Sequence, residues 1–246
     1  MSYPTNKELF QFLDITTLSV NDTEKSVSEL VNKVIYYQRN GYSAAAVCVY
    51  PNFAKVVSQL LKSTSIQTAA VSACFPASQS FTEVKCLESK MAVEAGATEI
   101  DIVLNVGQFL QGNDQLVVDE IKAVKEVIGS AKLKVILETG ALSDAVTIKR
   151  ASRLAILGGA DFLKTSTGKV DIGATPEAVQ AMCEVIKEEN LISARKIGIK
   201  ISGGVRSKED ALTYYSIVRE SLGEIFCQPD YFRIGASSLA DALVNE

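Results

Sequence analysis

DFLKTSTGKVDIGATPEAVQAMCEVIKEENLISARKIGIKISGG, residues 161–204, contains one complete strand, helix and strand unit. DFLKTS (161–166) and KIGIKIS (196–202) are short apolar runs of strand length, and PEAVQAMCEVIKEE between them repeats its apolar residues at three- and four-residue steps. The same alternation continues outward on both sides. SAAAVCVY (43–50), QTAAVSAC (67–74), EIDIVL (99–104), LKVILET (133–139) and YFRIGAS (231–237) read as strands, whereas FAKVVSQLLK, VKCLESKMAVEAG, DQLVVDEIKAVKEVI and AVTIKRASRLAILGG read as amphipathic helices. LDIT (13–16) supplies an eighth, weaker strand between the helical TNKELFQF and the cap-like NDTEKSVSELV, and Gly96, Gly159 and Gly223 sit where helices should stop. With no Pro- or Ser-rich linker, this alternation predicts one α/β domain over residues 1–246, a (β/α)8 TIM barrel with an extra N-terminal helix. An open doubly wound sheet is the architectural alternative. Against it, no GxGxxG follows the first strand, and functional-looking residues fall at the ends of several strands, as at the C-terminal mouth of a barrel.

Composition narrows the chemistry. The net charge of −4 and a pI near 5.2 give no general attraction to nucleic acid or to an acidic membrane surface, so the expected partner is a small molecule held in a local basic pocket. Cys48, Cys74, Cys86, Cys183 and Cys227 are odd in number and widely spaced, which fits neither a disulfide framework nor a zinc site and suits a reducing compartment. The opening MSYPTNKELFQFLD lacks the apolar core of a signal peptide, and no apolar run reaches membrane-spanning length, so a cytoplasmic protein is expected. Histidine is absent from the whole chain. That excludes Ser-His-Asp and Cys-His nucleophiles and histidine-bearing metal sites, and it shifts acid/base work to lysine, carboxylate, tyrosine or water. No metal and no cofactor are expected.

Lys164 lies inside a short strand, and a barrel strand is covered by helices outside and packed side chains inside, leaving an ammonium group little exit except the mouth. Lys200 occupies the same kind of place in IGIKIS, directly before Gly203 and Gly204. An ordinary lysine has a pKa of about 10.4, so at neutral pH only about one in ~2,500 is the free amine that attacks a carbonyl. A second lysine nearby, with partial burial, can lower that pKa to about 7 to 8. The alternative for either lysine is a structural ion pair with a carboxylate. Asp101 interrupts the apolar strand EIDIVL, where an unpaired carboxylate would be expensive; beside a lysine it would be stabilised and able to relay protons. Glu99 shares its face but sits at the end away from the mouth, which makes it structural. Ser166-Thr167-Gly168-Lys169, Gly203-Gly204-Val205-Arg206 and Gly235-Ala236-Ser237-Ser238 recur after the last three strands, and such turns hold phosphate with backbone NH groups and a nearby cation. STGK is not a P-loop, because Leu163 stands where its first glycine belongs. Weaker candidates are Asp14, Thr16 and Thr17 at the first strand, for a substrate hydroxyl, and Cys48 on an inward face. Lys134 and Glu138 could join a buried charge network and are not read as catalytic.

DFLKTSTGK, GIKISGGVR, EIDIVLN, AAVCVYPNF, KVILETG and YFRIGASS together resemble, in order and spacing over nearly the whole chain, the deoxyribose-phosphate aldolase family. The resemblance implies a metal-independent class I aldolase that reversibly splits 2-deoxy-D-ribose 5-phosphate into D-glyceraldehyde 3-phosphate and acetaldehyde. It implies that Lys164 forms the imine, that Lys200 lowers its pKa and exchanges protons, and that Asp101 relays protons through water. Gly168, Lys169, Gly203, Gly204, Arg206, Gly235, Ser237 and Ser238 would surround the phosphate. It also implies deoxynucleoside catabolism in the cytoplasm by a homodimer or other homo-oligomer. Two departures are expected to matter: LADALVNE after Ser238 is too short to reach over the mouth, and Asn105 stands where that family often has proline. The nearest competing activity is another class I sugar-phosphate aldolase or a transaldolase-like enzyme, followed by a phosphate-binding isomerase or a non-reacting sugar-phosphate regulator.

Overall fold

The computed structural model describes residues 3–193 and 195–245. Eight parallel strands, β1 (Leu13–Thr16), β2 (Ala46–Val49), β3 (Gln67–Val71), β4 (Glu99–Val103), β5 (Lys132–Ile136), β6 (Phe162–Lys164), β7 (Gly198–Ser202) and β8 (Phe232–Ala236), close in sequence order into a barrel. β1 pairs with β8, with Asp14 opposite Gly235, so the weak strand LDIT is the one that seals the cylinder. The open-sheet alternative is thereby excluded. The helices are α1 (Asn6–Phe10), α2 (Glu24–Arg39), α3 (Ala54–Leu61), α4 (Thr82–Glu94), α5 (Val106–Leu110), α6 (Asp114–Val127), α7 (Ala145–Leu157), α8 (Pro176–Ile192), α9 (Lys208–Leu222) and α10 (Leu239–Asn245).

Local chemistry sets the element ends. Thr23, Asp144, Thr175 and Ser207 each accept a backbone NH at the start of α2, α7, α8 and α9, satisfying donors that a helix leaves orphaned. Pro176 opens α8, where its missing NH costs nothing. Gly96, Gly159 and Gly223 take positive φ after α4, α7 and α9, as their positions predict. Asn105 accepts a bond from Gln108 N and so caps α5.

Both faces of each strand are buried, so the strands read as near-continuous apolar runs. Outward residues such as Val47, Ile100, Val135, Leu163, Ile199 and Ile234 pack under the helices and form the main core. The extra helix α1 lies at the N-terminal end of the barrel: Leu9, Phe10 and Phe12 are buried, the Phe12 and Phe232 rings are 5.0 Å apart, and Asn6 bonds the Leu243 carbonyl of α10. Inside the barrel the two halves differ. β2 and β3 contribute Ala46, Cys48, Ala69 and Val71, a separate small apolar cluster, whereas β1 and β4 to β8 send charged side chains into the lumen.

Candidate active site

Strand register brings the charges together. A residue and its lateral partner on a parallel neighbour face the same side, and Lys164 pairs with Lys200, Lys200 with Arg233, and Asp101 with Lys134. Gly198 leaves room for the Phe162 ring, whose nearest atom would lie 2.4 Å from an added Cβ; at Gly235 such a Cβ would be 3.2 Å from Lys200 Cε. The glycines on β7 and β8 therefore make the space that the inward side chains fill.

Asp101 is fully buried at the centre. Its Oδ2 accepts from Lys164 Nζ and from Lys200 Nζ, each at 2.8 Å, and its Oδ1 accepts from Lys134 Nζ at 2.9 Å. Lys200 Nζ also donates to Asp14 Oδ2 at 2.5 Å. Lys134 further contacts Glu99 at 2.6 Å and Asp14 at 3.2 Å. Arg233 binds Asp14 at 2.7 Å and Glu99 at 2.8 Å, and donates to the Pro229 carbonyl. A carboxylate in such a site costs several kcal/mol in lost hydration, which these charge-assisted bonds offset.

The three lysines respond differently. Lys134 and Lys200 are held above the ordinary lysine pKa: burial works against their charge, but Asp101 and Asp14 outweigh it. Lys164 is pushed below the ordinary value. Burial is the largest cause and Lys200 adds to it, while Asp101 opposes both. Burial thus contributes more to the neutral amine than the second lysine, which the sequence had suggested as the main agent. Asp101 is held well below the usual carboxylate range because the cations around it outweigh its burial. Burial raises the Cys48 thiol.

Lys164 is the lumen lysine that reaches the mouth. It lines a cavity of about 380 Å³ whose walls include Thr16, Thr17, Gly168, Lys169, Gly203, Gly204, Arg206, Gly235, Ser237 and Ser238. All the phosphate candidates therefore meet in one space, with Lys164 at its base. Asp14 and Cys48 do not line it. Asp14 lies beneath Lys200 and is saturated by three cations, so it faces no substrate hydroxyl; Cys48 is buried in the apolar half of the lumen. Thr16 spends its hydroxyl on the Asp14 carbonyl, and Thr17 on Asp22. Lys169 reaches across the mouth to the Leu18 carbonyl at 2.5 Å, tying the β6 turn to the β1 turn.

Two further residues shape the site: Arg233, absent from the sequence expectations, and Glu138, expected there only as a member of a buried charge network. Arg233 interrupts YFRIGAS as Lys164 interrupts its own strand, a signal that was present. Glu138 sits in the left-handed region (φ 55°) and accepts from Thr167 N at 3.1 Å and Thr167 Oγ1 at 2.5 Å, anchoring the turn before Gly168. Only the fold reveals that partner.

The family model described as DeoC/LacD family aldolase matches residues 9–237. The human protein named deoxyribose-phosphate aldolase is 39% identical over 241 residues, covering 93% of this chain and 76% of the human one. Among solved structures, a putative deoxyribose-phosphate aldolase from Toxoplasma gondii superposes with a TM-score of 0.89 at 26% identity, covering 98% of this chain and 93% of that one. The tetrameric deoxyribose phosphate aldolase from Aeropyrum pernix gives 0.78 at 28% identity over 98% and 92% of the two chains. With a closed barrel, a lysine at its mouth and a family match spanning all eight strands, the chain belongs to the DeoC/LacD aldolase family.

Proposed function

We propose that this chain is a class I aldolase that reversibly cleaves 2-deoxy-D-ribose 5-phosphate to D-glyceraldehyde 3-phosphate and acetaldehyde. The observation that carries this is the placement of one depressed-pKa lysine, Lys164, at the base of a cavity walled by glycine- and serine-rich turns with Lys169 and Arg206. The neutral Nζ of Lys164 attacks C1 of the open-chain aldehyde; the carbinolamine loses water and becomes an iminium. That cation is the electron sink. As the C3 hydroxyl gives up its proton, the C2–C3 bond breaks, releasing glyceraldehyde 3-phosphate and leaving an enamine. Protonation at C2 and hydrolysis then free acetaldehyde and restore the amine.

Lys200 and Asp101 carry the protons. Lys200 remains bound to Asp101 Oδ2 when Lys164 Nζ becomes the iminium, which keeps a proton-exchanging pair beside the reacting carbons. Gly168, Lys169, Gly203, Gly204, Arg206, Gly235, Ser237 and Ser238 hold the phosphate. The small side chains of β2 and β3 beside the lysines suit a two-carbon donor. We further read residues 1–246 as a single catalytic domain that works in the cytoplasm as a homo-oligomer. Among the described residues no helix is long and apolar enough to cross a membrane, and the Aeropyrum pernix relative is tetrameric.

The test is product formation. Purified protein given 2-deoxyribose 5-phosphate should release equal amounts of glyceraldehyde 3-phosphate and acetaldehyde, and Lys164→Leu should release neither. Another product pair would retain the aldolase but change its substrate; full activity in Lys164→Leu would remove the lysine from the mechanism.

A further inference from the structure

Among the described residues, the lumen contains four cationic side chains, Lys134, Lys164, Lys200 and Arg233, and three carboxylates, Asp14, Glu99 and Asp101, all essentially without solvent contact. Sharing the lumen with Lys164 are Asp14 from β1, Cys48 from β2, Glu99 and Asp101 from β4, Lys134 from β5, Lys200 from β7 and Arg233 from β8; β3 contributes Ala69 and Val71, which carry no charge. Lys169 and Arg206 stand at the rim, and Glu138 is engaged by Thr167. With every lumen group ionised the cluster carries one excess positive charge. In a space that excludes water, the least costly relief is for one cation to release a proton.

The contacts decide which one. Arg233 remains protonated under any ordinary condition. Among the described residues, Lys134 touches three carboxylates and Lys200 two, whereas Lys164 touches Asp101 alone and shares that oxygen with Lys200. Lys164 is therefore the least compensated cation. The excess exists only because Arg233 occupies Glu99 and one oxygen of Asp14 at the far end of the barrel, beside a second cavity lined by Gln67, Thr98, Lys132 and Asp230. Without it, three lysines would face three carboxylates.

We propose that Arg233 is a positioning residue which, from the end of the barrel opposite the substrate, fixes the charge balance that makes Lys164 the neutral lysine. This rests on the reading of Lys164 as the imine-forming group. A unit charge acting through an effective dielectric constant of about 20 over roughly 10 Å moves a pKa by about one unit. Removing the Arg233 charge favours the Lys164 ammonium and raises its pKa; removing the Glu99 charge does the opposite.

The experiment is the pH profile of kcat/KM for wild type, Arg233→Met, Arg233→Lys, Glu99→Gln and the Glu99→Gln/Arg233→Met double variant. The acid limb should move up by about one pH unit in Arg233→Met, stay near wild type in Arg233→Lys, move down in Glu99→Gln, and return towards wild type in the double variant. A purely structural ion pair would lower activity in both single variants with the limb unmoved or moved in the same direction, and either result overturns the proposal. If Arg233→Met does not fold, the near-isosteric Glu99→Gln decides alone: a downward shift supports the proposal, and no shift or an upward one overturns it. Borohydride trapping on wild-type Lys164 separates the two levels. Failure to trap refutes the imine chemistry itself; trapping with unmoved limbs refutes only the role of Arg233.

Discussion

A lysine becomes a nucleophile here through what it lacks. Lys164 has one shared carboxylate oxygen, whereas the neighbouring Lys200 has its own contact to Asp14 as well. Lys200→Met should therefore raise the Lys164 pKa by removing a like charge. The acid limb of kcat/KM should move to higher pH and activity at neutral pH should fall at least about tenfold, checked by steady-state assays across pH. Asp101→Asn should lower activity by about 10² to 10⁴, because a proton carrier is lost even though the change favours a neutral Lys164. At this scale the sequence was informative wherever a charge interrupted an apolar strand, as at Lys164, Lys200 and Asp101. It was silent on partners: that Asp14 belongs to Lys200 and Arg233, rather than to a substrate hydroxyl, depends on where β1 meets β8.

Turns align the site because neighbouring elements leave them little freedom. An added Cβ at Gly173 would lie 2.2 Å from the Gly203 carbonyl oxygen, so the turns after β6 and β7 are pressed backbone to backbone. Gly173→Ala should separate these two phosphate-facing turns and raise KM for the phosphorylated substrate by at least about tenfold, with a smaller effect on kcat; KM for an unphosphorylated aldehyde should change less. Glu138→Gln should have a milder effect of the same kind through the Thr167 anchor. Strands were legible as elements because burial on both faces makes them continuous apolar runs, and LDIT was faint because its run in the sequence is short and interrupted by Asp14. α9 is faint in the sequence: its buried stripe is Ala211, Tyr214, Tyr215 and Val218, in which two tyrosines blur the apolar period. Several strands end earlier than their apolar runs, as where Ala73 and Cys74 turn to positive φ after β3.

Closure makes the lumen network a property of the whole molecule, since its members come from β1 and β4 to β8. Asp14, Glu99 and Asp101 all have depressed folded-state pKa values, with burial opposing and Lys134 prominent among the cations that prevail. The unfolded chain binds these protons first, near pH 4, so stability rises with pH through that region. Their contribution is present above about pH 4 to 5 and is lost as pH falls towards the folded-state values. Thermal melts should show Tm dropping steeply below about pH 4.5, and Glu99→Gln should flatten that slope. The barrel was legible from strand and helix alternation; the charge balance inside it was not, because no local pattern records which side chains converge across the lumen. Borohydride trapping puts the imine at Lys164 to direct trial. Protein incubated with acetaldehyde, reduced and mapped by peptide mass should carry a two-carbon adduct on Lys164 that is absent from Lys164→Leu; a folded wild-type protein that cleaves the sugar phosphate yet carries no adduct there would contradict the account.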